Sequence, residues 1–251
     1  MTEPELLPES KPISASRALE ILQHGDIHEE YGMLRWSSNY AFLVAMKYED
    51  DIVTAVYKPQ KGERPLWDFP DGTLCHREFL SFLTSQALGW GIVPPTVLRA
   101  GSRGLGTFQF YIDHDPEQHY FTFPDDIKAQ LVRMAAFDVI VNNADRKGGH
   151  CLLDATGHVW GIDHGITFHA QHKLRTVIWD YAGQPLEDDL LEDLRALLDM
   201  VESQDSHYRQ SAEELISTGE LRAFHRRLKT LVETGCYPTP GPGPNYPWPA
   251  V

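Results

Sequence analysis

The sequence predicts an α+β chain of two lobes, a sheet-rich N-terminal part followed by a helix-rich C-terminal part. Three observations predict it. Short β-branched and aromatic runs crowd residues 39–112, and helical periodicities fill residues 125–142 and 187–235. The chain of 251 residues is also long for one simple core and short for two independent domains. The expected division is a disordered tail at 1–13, an N-lobe at 14–112, a C-lobe at 113–237 and a Pro-rich tail at 238–251.

Taken in order, residues 14–25 form a short helix, with Ser14 as its start signal and Gly25 as its stop. Residues 39–47 and 52–58 are strands around a turn at 48–51, and Pro59 ends the second. The result is a hairpin with Lys58 at its far end. A loop at 59–73 precedes a helix at 74–88, which Gly89 and Gly91 stop. Residues 93–98 and 105–112 read as two more strands. Residues 125–142 are one long helix opened by acidic residues, followed by a loop at 143–149. Residues 151–154 and 158–163 make a small hairpin, and helices follow at 187–203, 210–217 and 219–235. The acidic run 187–193 suits a helix start, and the Leu190, Leu191, Leu194, Leu197 and Leu198 stripe suits the core. Six prolines between Pro238 and Pro249 forbid helix or central strand in the tail. Tyr246 and Trp248 offer a way to dock it, although an extended tail is the plainer reading.

Composition narrows the function classes. With 22 basic and 36 acidic residues the net charge is −14, which opposes nucleic-acid binding and constitutive docking on anionic lipid. Cys75, Cys151 and Cys236 have neither zinc-site nor disulfide spacing, which points to a reduced compartment. The N-terminus has no apolar stretch, so neither a signal peptide nor a membrane anchor is expected and the cytoplasm is the default location. Nothing in the sequence speaks to oligomeric state.

The residues furnish the parts for handling a phosphoryl group: a cation, carboxylates for a divalent metal, and a base. Lys58 sits on a fixed strand end, and Glu78 in the following helix is an acidic partner for it. The stretch Asn142-Asn-Ala-Asp-Arg-Lys-Gly-Gly-His150 places Asp145 on a rigid helical stem, with glycines that let the backbone come close. Gly161-Ile-Asp-His-Gly165 holds Asp163 between two glycines, so its carboxylate reaches out unhindered. Two hard oxygen ligands suit Mg²⁺ or Mn²⁺ bound with phosphate.

Together these two motifs resemble the D-R-x-x-x-N plus I-D-x-G pattern of phosphatidylinositol 3-/4-kinase-like enzymes, with HipA-type bacterial kinases also similar. Tyr57-Lys-Pro59 looks like their nucleotide-lysine strand and Arg77-Glu-Phe79 like the helix carrying its acidic partner. The chain is also similar to an actinobacterial family grouped with these kinases. The likeness spans roughly residues 30–170.

The resemblance implies a two-lobed protein-kinase-like fold and an ATP-dependent kinase acting on a hydroxyl acceptor. Lys58 would contact the α- and β-phosphates, steadied by Glu78, with Ser37, Ser38 and Asn39 lying over the phosphates. Phe110, Tyr111, Ile112 and Asp113 would line the adenine pocket and offer backbone hydrogen bonds. Asp145 would be the catalytic base, Asp163 the main metal ligand, and Arg146 would orient the loop or bridge to phosphate. His150 departs from the pattern, standing where the family has Asn as second metal ligand. It ligates, shifts preference from Mg²⁺ toward Mn²⁺, or marks lost activity. The covering turn at 37–39 also lacks G-x-G-x-x-G.

Two other classes stay open at this point. One is a nucleotide-binding pseudokinase that regulates. The other is a metal-dependent hydrolase built on His164, His169 and His172, although H-E-x-x-H spacing is missing. Inositol-type metabolites, other small alcohols and protein serines are all open as acceptors.

Overall fold

The computed structural model describes residues 13–34 and 39–251, and its contacts divide the chain into two units. The first comprises residues up to Cys75 together with Pro94–Tyr111, and the second comprises His76–Val93 and Ile112–Val251.

In the first unit, Ser14 and Gly25 act as their chemistry requires. The Ser14 hydroxyl accepts from the Arg17 N–H at 3.2 Å, opening α1 (Ala15–His24), and the Gly25 N–H closes it on the Ile21 carbonyl. Five strands follow: β1 (Asp26–Met33), β2 (Phe42–Tyr48), β3 (Asp51–Pro59), β4 (Thr96–Gly101) and β5 (Gly104–Phe110). They form one antiparallel sheet in the order β1-β2-β3-β5-β4.

Period-two alternation gives this sheet its core. Val44 and Met46, Val53, Ala55 and Tyr57, Val97 and Phe108 share one cluster with Ile21 and Leu22 of α1. Each large apolar side chain buried there contributes about 1.5–3 kcal/mol. Tyr57 stacks on Phe108 with ring centroids 4.2 Å apart, and its hydroxyl donates to the Gly104 carbonyl at 2.6 Å. Gly106 permits this approach, because a Cβ there would collide with the Lys58 carbonyl and the Tyr57 ring.

Strand β1 was not expected. Its residues are nearly all exposed and its pairing with β2 slips twice, between Ile27 and Glu29 and between Glu30 and Gly32. An edge strand with one solvated face and two bulges loses the alternation that would announce it.

The second unit is helical. Helix α2 (Leu74–Ala87) begins on the Glu63 carboxylate, which accepts from the Leu74 and Cys75 N–H groups, and the unit boundary crosses the helix after Cys75. Most of α2 therefore belongs with the helices, although the expected N-lobe held it whole. Arg77 and Ser81 pair with Thr167, and Thr84 pairs with Tyr208, so the polar stripe of α2 is buried in this unit.

The expected long helix at 125–142 is two, α3 (Asp125–Lys128) and α4 (Leu131–Val141). The Lys128 carbonyl accepts the Tyr181 hydroxyl at 2.8 Å, and the Gln130 N–H turns tightly onto Ile127. Those two bonds replace the continuous helical ladder. Strands β6 (Cys151–Leu153) and β7 (Val159–Gly161) make the expected small hairpin. Helices α5 (Asp188–Glu202), α6 (His207–Leu215) and α7 (Thr218–Thr234) complete the unit. Leu190, Leu194, Leu197 and Val201 of α5 are buried, and Ser217 with Glu220 forms a capping box on α7.

The C-terminal residues dock by backbone rather than by aromatic rings. The Asn245 carbonyl accepts from the Thr176 N–H and the Trp179 indole, and the Ala250 carbonyl accepts from the Gly148 N–H. Trp248 is 92% exposed and Tyr246 is 58% exposed, while Pro247 between them is buried. A five-stranded sheet unit and a helical unit make the fold α+β and kinase-like. No helix among the described residues is long and apolar enough to cross a membrane.

Candidate active site

The loop after α4 is organised by a carboxylate that sequence reading passed over. Asp138 is wholly buried on α4 and accepts from Arg146 Nε at 3.0 Å and Nη2 at 3.0 Å. The same carboxylate accepts from the Asn143 amide at 2.9 Å and the Thr176 hydroxyl at 3.2 Å. A carboxyl side chain inside the apolar run Ala135-Ala-Phe-Asp-Val-Ile-Val141 was the available signal.

Arg146 is equally buried and engaged at every nitrogen. Its Nη1 donates to the His150 and Ile162 carbonyls at 3.2 and 3.0 Å, and its Nη2 contacts His164 Nε2. Arginine only donates, so His164 accepts at Nε2 and carries its proton on Nδ1. Of the two roles expected for Arg146, orienting the loop suits these surroundings. A bridge to phosphate does not, since the guanidinium lies wholly inside the unit.

Asn142 ends α4 in the left-handed conformation, with φ 55° and ψ 52°. Its amide donates to the His169 and Gln171 carbonyls, and its oxygen accepts from the Lys173 N–H. Asn143 then turns the chain, its side-chain oxygen accepting from the Asp145 N–H at 3.0 Å. Asp145 is thus held from both ends, by its own amide and by the pinned neighbour Arg146.

The Asp145 carboxyl is raised above the ordinary carboxylate range. Burial is the main cause, Asp163 adds repulsion, and Lys147, with its ammonium 3.4 Å away, pulls the other way. Asp163 follows β7 with φ 60°, a left-handed backbone uncommon for a non-glycine residue, and its side chain is 39% exposed. His150 Nε2 lies 3.6 Å from the Asp163 carboxylate. The Lys147 N–H donates to His150 Nδ1 at 3.4 Å, so a neutral ring carries its proton on Nε2, facing Asp163.

The structure therefore brings Asp145, Lys147, His150 and Asp163 together within the helical unit. Two carboxylates that repel one another, one of them exposed, suit a divalent cation whose remaining ligands are phosphate oxygens and water. Among the described residues no three His, Cys, Asp or Glu side chains form a protein cage for a metal. His164 is instead locked onto Arg146, which removes it from the hydrolase cluster read from the sequence.

The remaining expected residues lie elsewhere. Lys58 is half-buried on β3, paired in register with Thr107 of β5 and on the sheet face opposite Tyr57. That face also carries Thr54, Thr96, Thr107 and Gln109, all buried, with Gln109 donating to Thr96 at 3.0 Å. Glu78 is buried on α2. The Asn39 side chain accepts from the Arg64 N–H at 2.9 Å, while Ser37 and Ser38 lie outside the described residues. The N–H groups of Phe110 and Tyr111 already donate to the Pro95 and Thr54 carbonyls. Any backbone donor for adenine in this stretch is left to Ile112 or Asp113.

A sheet unit carrying a strand-borne lysine, with a helical unit carrying Asp145 and Asp163 on successive loops, defines a kinase-like domain. The family model for phosphatidylinositol 3- and 4-kinase matches residues 103–231. Protein Rv2133c of Mycobacterium tuberculosis is 36% identical over 256 residues, spanning 87% of this chain and 90% of that protein. The crystal structure of the Helicobacter pylori proinflammatory kinase CtkA superposes with a TM-score of 0.53 over 85% of this chain and 94% of that chain. At 13% identity it supports the fold alone. The chain belongs to the phosphatidylinositol 3- and 4-kinase family, which supports a kinase.

Proposed function

We propose that this protein transfers the γ-phosphate of ATP to a hydroxyl acceptor, with Asp145 as the base and Asp163 as the principal ligand of a divalent metal. The observation that carries the reading is the pairing of Asp145 and Asp163 on loops fixed by the buried Asp138–Arg146 pair. Asp145 accepts the acceptor's hydroxyl proton, and its raised pKa makes it a better base than a free carboxylate. Asp163 holds Mg²⁺ or Mn²⁺, with His150 beside it. Ligation by His150 requires its ring proton to move from Nε2 to Nδ1. A bound ion supplies neutralisation of the phosphate charge. Lys58 holds the phosphates, with Glu78 as its acidic partner, and Asn39 and residues 110–113 contribute to nucleotide binding.

A γ-labelled ATP assay with Mg²⁺ or Mn²⁺ and a library of small alcohols and protein acceptors tests this. Label should appear in an acceptor or in the protein itself, and Asp145→Ala and Asp163→Ala should each abolish it. Lys58→Ala should raise the KM for ATP. Turnover that survives both aspartate substitutions overturns the proposal. The His150 Nε2–H facing Asp163 favours one second reading, a nucleotide-binding pseudokinase. That reading expects a thermal shift with ATP and no label transfer under any metal.

A further inference from the structure

The helical unit contains a cavity of about 640 Å³, a volume that suits a small molecule. It lies among α4, α7 and the loops at 170–174 and 236–239. Val139, Leu174, Ala223 and Leu231 give it apolar walls, and three basic side chains reach it: His172, Arg226 and Arg227. Among the described residues that line it there is no Asp or Glu.

Arg227 is the unusual member. Its Nε donates to the Ile140 carbonyl at 3.0 Å and its Nη1 to the His169 carbonyl at 3.2 Å. Its Nη2 is buried with no hydrogen-bond partner among the described residues. Both partners are neutral, so among the described residues this largely buried guanidinium has no ion-paired counter-charge, and that is costly. Burial, with Arg226 adding repulsion, pushes the group down to about 10. Glu220, whose field does reach Arg227, is committed at 2.6 Å to Arg77.

We propose that this pocket binds an amphipathic small-molecule carboxylate, its oxygens beside the Arg227 and Arg226 side chains and its apolar body against Val139, Leu174 and Leu231. A monoanion matches one uncompensated buried cation, and the apolar walls select an acid with a hydrocarbon body over a bare inorganic anion. The pocket is distinct from the Asp145–Asp163 site, so the proposal stands or falls independently of the kinase reading. The two share one piece of backbone, since the His169 carbonyl that accepts from Arg227 also accepts from Asn142 at the start of the catalytic loop.

Cys236 lines the cavity and is exposed, whereas Cys75 and Cys151 are buried, so alkylation of the folded protein reads this pocket. The rate of Cys236 modification by N-ethylmaleimide is measured alone and with octanoate, 1-octanol or inorganic phosphate. Octanoate is expected to slow the reaction at least about fivefold, a change of about 1 kcal/mol, with octanol and phosphate far weaker. Unchanged rates with octanoate, equal protection by octanol, or protection by phosphate alone would each overturn the proposal. Arg227→Met should abolish octanoate binding by calorimetry. Because that variant also loses two backbone contacts, Thr230→Trp is a second test, filling the cavity from its rim while leaving Arg227 in place. It too should lose octanoate binding while melting like the parent, and retained affinity in both folded variants counts against the site.

Discussion

Asp138 touches neither nucleotide nor acceptor in the proposed reaction, yet Arg146, Asn143 and Thr176 all converge on its two oxygens. Removing one partner of a buried ion pair leaves the other charge stranded, at a cost of about 3–5 kcal/mol. Asp138→Ala should therefore lower stability by about that amount in urea unfolding. A loss below about 1 kcal/mol would mean the pair is not the loop's anchor. Asp145 carries a pH prediction. It works as a base only when ionised, and burial with Asp163 raises its pKa, so the acid limb of kcat should lie above the usual carboxylate range. Lys147 pulls this pKa down more than Arg175 does, so Lys147→Met should move the limb to still higher pH. An unmoved or lowered limb would take the base role from Asp145. His150→Asn restores the amide that the family pattern carries at this position. It should raise turnover with Mg²⁺ relative to Mn²⁺, since a carboxamide oxygen is the harder ligand.

At the scale of elements, two contacts carry more than their sequence suggests. The Arg77–Glu220 pair joins α2 to α7 at 2.6 Å, with both side chains nearly buried. Burial alone would raise the Glu220 pKa, but Arg77 and the donors of Ser217 outweigh it and hold the carboxyl below its ordinary value. A depressed carboxylate contributes stability above its unfolded pKa, about 4.3, and that contribution disappears as pH falls through the folded value. Glu220→Gln should thus be destabilising at neutral pH, with the difference from the parent shrinking on acidification below about pH 4. A constant difference would place the effect in packing instead. The C-terminal segment is the other contact. It holds the Gly148 and Thr176 amides through the Ala250 and Asn245 carbonyls. A chain ending at Pro244 should show these two amides exchanging faster, by about fivefold for each hydrogen bond worth about 1 kcal/mol. Unchanged exchange would mean that the contact holds nothing.

For the molecule as a whole, what could be read in advance was whatever short segments encode. Ser14 and Gly25 bracket a helix by local capping, and the two aspartate motifs announce themselves by local spacing. Strand β1 escaped notice because an exposed edge has no apolar period, and the break between α3 and α4 depends on Tyr181, 53 residues away. Arg77 and Glu220 are 143 residues apart, and the docked tail uses carbonyl groups that every residue possesses. Net charge is a whole-chain property that sequence does give, and it bears on the acceptor. The family is named for lipid substrates, but a charge of −14 repels an anionic leaflet, whereas lipid-docking segments gain about 1 kcal/mol per clustered Lys or Arg. In the described residues, the basic groups beside Asp145 are Lys147, already paired with it, Arg146, buried beneath the loop, and the half-buried Arg175, too few to make a polybasic patch. In vesicle sedimentation at about 0.1 M salt, where the Debye length is about 10 Å, the protein should stay in the supernatant with phosphatidylserine- and phosphatidylinositol-bearing vesicles. Its turnover should favour water-borne hydroxyl acceptors over the vesicle-embedded lipid. Binding comparable to that of a polybasic control, or faster phosphorylation of the embedded lipid, would show that a local surface overrides the global field and would return the acceptor to the membrane.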